Sequence, residues 1–269
     1  MLTSVHPTAV VATRARLGRD VAVGPYAVIE DDTEIGDGCS IRAHVVIKKY
    51  TTLGPESVVH EHAVLGGEPQ DLGYRETPTR LEIGARSTIR EGVTMHRASR
   101  PGGVTRVGEG CLIMAYAHVA HDCQLGAGVM LANNVALAGH VQIAERAFLS
   151  GGVVVHQFCR IGRLAMLGGN TKLVQDALPF VITDGDPGRA RGLNVVGLRR
   201  AGMGAAQLRV LKQAFRLLVR SGLPLDVALE RLASLADPLA EEVAVFVRNS
   251  QRGFAHGPAR GEGDALRER

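Results

Sequence analysis

Residues 107–173, written in sixes, run VGEGCL IMAYAH VAHDCQ LGAGVM LANNVA LAGHVQ IAERAF LSGGVV VHQFCR IGRLAM LGGNTK and a final Leu173. An aliphatic residue heads every group: Val107, Ile113, Val119, Leu125 and onward without a gap. A helix repeats near 3.6 residues and a strand at 2, so a period of six belongs to neither and marks a repeat architecture. The second place is often Gly (Gly108, Gly126, Gly162, Gly168), which turns through positive φ at no steric cost. The fifth is almost always small, as at Cys111, Ala117, Val129 and Ala165. Each hexad therefore reads as a short strand and a corner. Three hexads close one coil of a triangular parallel β-solenoid, with the aliphatic residues stacked inside.

The same phase starts at Val5 and holds through Leu65, with Pro7, Pro25 and Pro55 at the third place, beside the corner. It fails at Asp71 and Thr77, resumes at Ile83, fails once more at Pro101 and resumes at Val107. Two loop excursions, near 66–80 and 97–105, thus leave a coil that keeps its phase. Beyond Leu173 the repeat stops, and Asp184-Gly-Asp-Pro-Gly188 breaks the chain. Leu208, Leu211, Phe215, Leu218 and Val219 then form one face of an amphipathic helix, a second helix covers 225–236, and Pro238 opens a third. The expected organisation is a β-helix over 1–187, an α-helical domain over 188–252 and a flexible tail over 253–269.

Composition supports a narrow prism: hydrophobic residues make up 45% of the chain, aromatics only 4%, and Trp is absent. No apolar run reaches the roughly 18 residues of a membrane span, and the N-terminus lacks a basic, apolar leader, so a cytoplasmic protein without a span is expected. Cys39, Cys111, Cys123 and Cys159 all fall in the small fifth slot. They read as core residues, not as disulfide, zinc ligand or nucleophile. Between Gly188 and Arg220 there are eight Arg and Lys and no acid. That one-signed patch favours an anionic partner, and without any nucleic-acid module the partner is not expected to be nucleic acid.

Counted in coils of three hexads, His121, His140 and His156 fall at the thirteenth, fourteenth and twelfth places, which stacks them along one edge on successive coils. Imidazole is a base near neutral pH without a large shift, which suits it to proton transfer. His6, His44, His60, His62 and His96 read as solvated surface residues.

The runs His118-Val-Ala-His121-Asp122, Leu131-Ala-Asn-Asn-Val-Ala-Leu-Ala-Gly-His140 and Val155-His-Gln-Phe158 resemble the hexapeptide-repeat acyltransferases, and within them the UDP-N-acetylglucosamine acyltransferases of lipid A synthesis. The resemblance implies a left-handed coil, where the usual crossover rule favours the opposite hand. It also implies a homotrimer with sites between neighbours. The implied reaction transfers a 3-hydroxyacyl chain from acyl carrier protein to the 3-hydroxyl of UDP-N-acetylglucosamine by direct attack, with no metal and no cofactor beyond the donor's phosphopantetheine. His121 would be the base, Asp122 its orienter, the Gly139 N–H an oxyanion donor and His140 a sugar-positioning group. His118, His156 and Gln157 would line the cleft, Gln70 and Asp71 would reach the sugar, and Asn194 and Arg200 would meet the diphosphate or the carrier. Gly169 matches the place where bulk sets acyl length, and a glycine there implies a long chain. The basic helical face would dock the acidic carrier.

Three positions depart from the family pattern: Gly73 stands for a Lys, Val196 for an acid and Ala201 for an Arg, with Arg75 and Arg199 as candidate replacements for the missing charge. The alternatives are an N-acyltransferase acting on a 3-amino sugar nucleotide, a γ-carbonic-anhydrase-like enzyme with three His on zinc, and a non-catalytic paralogue.

Overall fold

The structure is a computed structural model and describes residues 2–257. The strands Ser4–Val5, Val10–Val11 and Arg16–Leu17 make the first coil, and Ala22–Val23, three hexads after Ser4–Val5, lies parallel on it. Repetition of that step builds three sheets of eleven, nine and eight strands, which we term the first, second and third. The hexad-leading aliphatics point inward: Ile29, Ile47, Ile113, Leu131 and Leu149 are each at most 1% exposed. Each such side chain contributes roughly 1.5–3 kcal/mol by leaving water. The four cysteines are free and buried, and burial pushes the Cys123 thiol up to about 12.

The corners differ in detail from expectation. Positive φ falls at the fourth place of the hexad, and non-glycine residues fill it: Asp32, His44, Asp122, Asn134, His140 and Phe158 all lie between 56° and 64°. The second-place glycines serve another purpose. A Cβ at Gly108 would sit 2.5 Å from the Gly126 carbonyl carbon, and one at Gly162 would sit 2.3 Å from the Pro179 nitrogen. They are glycines because the next coil passes too close for a side chain.

Thr52 pairs with Glu82, five hexads later, and Glu82 with Arg106, four hexads later. The first excursion thus adds two hexads to the ordinary three, and the second adds one. Because both are whole hexads, the inward face is kept. Both excursions leave from the corner between the second and third sheets, and backbone bonds join them, Arg80 N–H to Gly103 O at 3.0 Å and Ala98 N–H to Arg80 O at 3.3 Å. Arg97, 2% exposed, donates to Gly66 O and to Glu68, and its guanidinium lies near the Tyr50 and Tyr74 rings.

At the C-terminal end Val181–Asp184 pairs with Met166–Leu167 and returns as Arg189–Leu193 in a hairpin, so the 184–188 break is its turn. Helices α1 (Val195–Arg200), α2 (Ala205–Phe215, continued by a wider turn to Arg220), α3 (Leu225–Ala233) and α4 (Pro238–Arg248) build a second core around Phe180, Leu198, Leu211 and Val243. Arg163 pairs with Glu242, and Arg160 donates to the carbonyls of Phe246 and Asn249, which fastens α4 to the solenoid. Part of the expected loose tail is packed instead: Phe254 is 2% exposed and bridges to Asp176. Residues 258–269 lie outside the described residues.

The three outer surfaces are unlike. The third sheet is polar outside, with ion pairs Arg16–Glu34 and Arg106–Glu82 followed by Gln124 and Gln142. The first sheet turns Met130, Phe148, Met166 and Ile182 outward, and the second turns out Val28, Val46, Val64 and Val154.

Candidate active site

The corner between the second and third sheets carries His121 and Asp122. Gly139 and His140 occupy it one coil later, and Gln157 and Phe158 one coil later again, tied by His140 N–H to His121 O at 3.0 Å and Phe158 N–H to Gly139 O at 3.2 Å. The His121 and His140 rings meet edge to face at 5.2 Å, and His140 stacks on Phe158 at 4.6 Å.

His121 Nδ1 lies 2.8 Å from Asp122 Oδ2, with both side chains 13% exposed. The same Oδ2 accepts from the Ser99 hydroxyl at 2.8 Å and the Ser99 N–H at 3.1 Å, while the Asp122 N–H donates to Thr105 Oγ1 at 2.8 Å. Burial alone would raise the Asp122 carboxyl; the hydrogen bonds from His121 and Ser99 outweigh it and hold the group below its ordinary value. A carboxylate on Nδ1 fixes the tautomer that leaves Nε2 as a free lone pair. Beside that nitrogen is Gly139. A Cβ there would sit 2.5 Å from His121 Cε1 and 2.7 Å from Nε2, so only glycine admits the ring. Among the described residues the Gly139 N–H makes no hydrogen bond. A base, its orienter and an unspent donor thus share one corner, the set needed to take a proton from a nucleophile and to meet an oxyanion.

Other expected residues are placed less uniformly. His118 bonds Thr94 Oγ1 at 2.8 Å, and burial, then His121, lowers its imidazole. His140 is lowered by burial, against the attraction of Asp122, whose Oδ2 is 3.7 Å from its Nε2. Asp71 comes within the field of His121; its carboxyl is held down chiefly by the Gly73 N–H at 2.8 Å. The residue that replaces the family Lys is therefore a turn partner of Asp71. Gln70 is exposed on the same excursion. Arg75 donates to the Leu72 and Tyr74 carbonyls, which ties its charge into the loop.

His96 is not a surface residue. It packs under Gly67 and edge-on to His118 at 5.0 Å, and burial pushes its imidazole down to about 4. His156 is exposed and, among the described residues, makes no ring contact with His121 or His140. Among the described residues two groups place three donors within 4.8 Å of one another, His121, Asp122 and His140 at this corner and His60, Glu61 and Glu91 away from it, and neither holds three His.

Asn194, Arg200 and Gly169 lie elsewhere on the chain. Asn194 caps α1, accepting from the Gly197 N–H at 3.1 Å and donating to Leu164 O at 3.0 Å. With Arg200 and the exposed Val196 it lines a cavity of about 1040 Å³, walled by Met130, Phe148 and Met166, at the edge between the third and first sheets. Ala201 caps the C-terminus of α1. Gly169 is at the corner between the first and second sheets in open space, with the Gly151 carbonyl at 3.6 Å. Ser99, Thr105 and Thr94 are the site residues the sequence reading passed over. Their signal is position: Ser99 and Thr105 lie on the excursion that leaves from the His121 corner.

Among the described residues, no helix is long and apolar enough to cross a membrane. A family profile described as UDP-N-acetylglucosamine O-acyltransferase, domain 2, matches residues 176–255, and one for bacterial transferase hexapeptides matches 14–49 and 105–139. The acyl-[acyl-carrier-protein]–UDP-N-acetylglucosamine O-acyltransferase of Alkalilimnicola ehrlichii is 54% identical over 94% of this chain and 99% of its own, and that of Paraburkholderia phymatum 47% over 94% and 99%. The crystal structure of a UDP-N-acetylglucosamine acyltransferase from Bacteroides fragilis superposes with a TM-score of 0.92 at 33% identity, covering 94% of this chain and all of the other. The coil is accordingly a left-handed parallel β-helix with a C-terminal helical part. The chain belongs to the UDP-N-acetylglucosamine O-acyltransferase family.

Proposed function

We propose that the protein transfers a 3-hydroxyacyl chain from acyl carrier protein to the 3-hydroxyl of UDP-N-acetylglucosamine in the cytoplasm, the step that begins lipid A assembly. The observation that carries this is His121, held at Nδ1 by Asp122 with its other face against Gly139. Nε2 takes the hydroxyl proton as the sugar oxygen attacks the thioester carbonyl, and the Gly139 N–H donates to the oxyanion. Collapse breaks the C–S bond, and the imidazolium returns the proton to the departing thiolate. No covalent enzyme intermediate and no metal is needed in this sequence.

A trimer completes the site in this reading. Two adjacent outer faces are apolar and the third is charged, which suits three chains packed around an axis with the first face of one on the second face of the next. The corner shared by the apolar faces then points to the axis; Tyr26 and Tyr116 stand on it, 57% and 69% exposed in one chain. This arrangement brings the His121 corner of one protomer to the Asn194–Arg200 cavity of its neighbour. Arg199, Arg200, Arg209, Lys212 and Arg216, all exposed on α1, α2 and its extension, offer the acidic carrier a dock.

The test is an assay of purified protein with UDP-N-acetylglucosamine, its 3-amino counterpart and a series of 3-hydroxyacyl carrier proteins. O-acylation that survives chelation and falls by about 10² to 10⁴ in His121→Ala is expected. Exclusive N-acylation or strict dependence on zinc would replace the proposal with one of its alternatives.

A further inference from the structure

We propose that Ser99 is a positioning residue for the transfer: its N–H and hydroxyl both clasp Asp122 Oδ2, the oxygen that meets His121 Nδ1, so the second excursion aims the base. The inference rests on the reading of His121 as that base. Three donors converge on one carboxylate oxygen at 2.8, 2.8 and 3.1 Å, two of them from Ser99. The hydroxyl must donate, since an ionised carboxylate only accepts. The excursion holding Ser99 is compact: the Gly103 N–H closes on Arg100 O at 2.8 Å, and a Cβ at Gly103 would press on Ala98. Ser99 is thus carried by backbone bonded to the neighbouring excursion, and its hold on Asp122 is preformed.

Ser99 also sets the charge that His121 meets. Its two bonds draw electron density from Oδ2, and they are among the causes that keep the Asp122 carboxyl low. Other ionisable groups act on the pair as well. His96 and His118 act from the second sheet, His140 from the next coil, Asp71 from the first excursion, and Arg100 lies beside Ser99. None of them donates to Oδ2 at hydrogen-bond distance; His140, at 3.7 Å, is the nearest. Without the Ser99 hydroxyl, Oδ2 loses one of its three donors and its hold on His121 Nδ1 is less fixed. The carboxylate is also free to swing away.

The test compares kcat and KM for wild type, Ser99→Ala, Ser99→Gly and Ser99→Thr, with His121→Ala as control. Ser99→Ala should lower kcat about tenfold and leave KM for the sugar nucleotide within about twofold. Ser99→Thr, which keeps the hydroxyl, should restore kcat. Ser99→Gly, like Ser99→Ala, keeps the N–H contact and loses only the hydroxyl bond, so its kcat should fall at least as far; it also serves if Ser99→Ala does not assemble. An unchanged kcat in Ser99→Ala and Ser99→Gly, a loss carried by KM alone, or equal damage in Ser99→Thr and Ser99→Ala, overturns the inference. Full activity in His121→Ala would remove the base itself, a separate failure.

Discussion

Gly139→Ala adds one methyl at a place where the backbone φ suits any residue, so its effect isolates the space that His121 needs. The new Cβ would lie 2.5 Å from His121 Cε1 and 2.7 Å from Nε2, while ordinary contact begins at 3.4 Å. The ring must retreat by about 0.9 Å, but its Nδ1 is held at 2.8 Å by Asp122, which Ser99 holds in turn. Misplacing a reacting group by 1 Å costs on the order of 10² in rate, within the 10²–10⁴ that general-base catalysis supplies. Overpacking costs about 1–3 kcal/mol of stability, which leaves the fold in place. Steady-state kinetics with acyl carrier protein donor should show kcat/KM reduced about 10²-fold, beside a far-UV spectrum like wild type. A variant within threefold of wild type would mean that the ring has room, and that the corner geometry does not set the rate.

His121→Ala should lower turnover by 10² to 10⁴ with the coil intact, read by the same assay. Asp122→Asn keeps the shape but offers His121 an amide, and should cost at least about 10² in kcat by admitting the wrong tautomer. His96, pushed down to about 4 by burial, binds fewer protons folded than unfolded below about pH 6.5. Its contribution is complete above 6.5 and lost as pH falls toward 4, so the decline in Tm over that window should be smaller in His96→Asn; equal slopes would refute it. Gly169→Met, filling open space at the neighbouring corner, should shift preference toward shorter donors, and an unchanged chain-length profile would end its assignment as a ruler.

The period of six carried most of the fold, because a solenoid repeats the same local decision at every hexad. Counting by whole coils then placed His121, Gly139 and His140 on one corner, and that geometry holds. The same counting put His156 near them but could not say that its ring turns to solvent, since register places a backbone and not a side chain. The second-place glycines were assigned to left-handed turns; the true cause, the close pass of the next coil, is a three-dimensional contact that no single hexad shows. His96 looked like any outward histidine until the first excursion folded Gly67 over it. Ser99 was hidden for the same reason: what it does depends on where an irregular loop lands.

Subunit complementation tests the shared site most directly. His121→Ala and Arg200→Glu, each inactive or severely impaired as a homotrimer, would be unfolded, mixed and reassembled. If His121 of one protomer works against the cavity of its neighbour, about a quarter of the sites in a random mixture are intact and activity returns in proportion. A mixture no more active than its components would contradict the account.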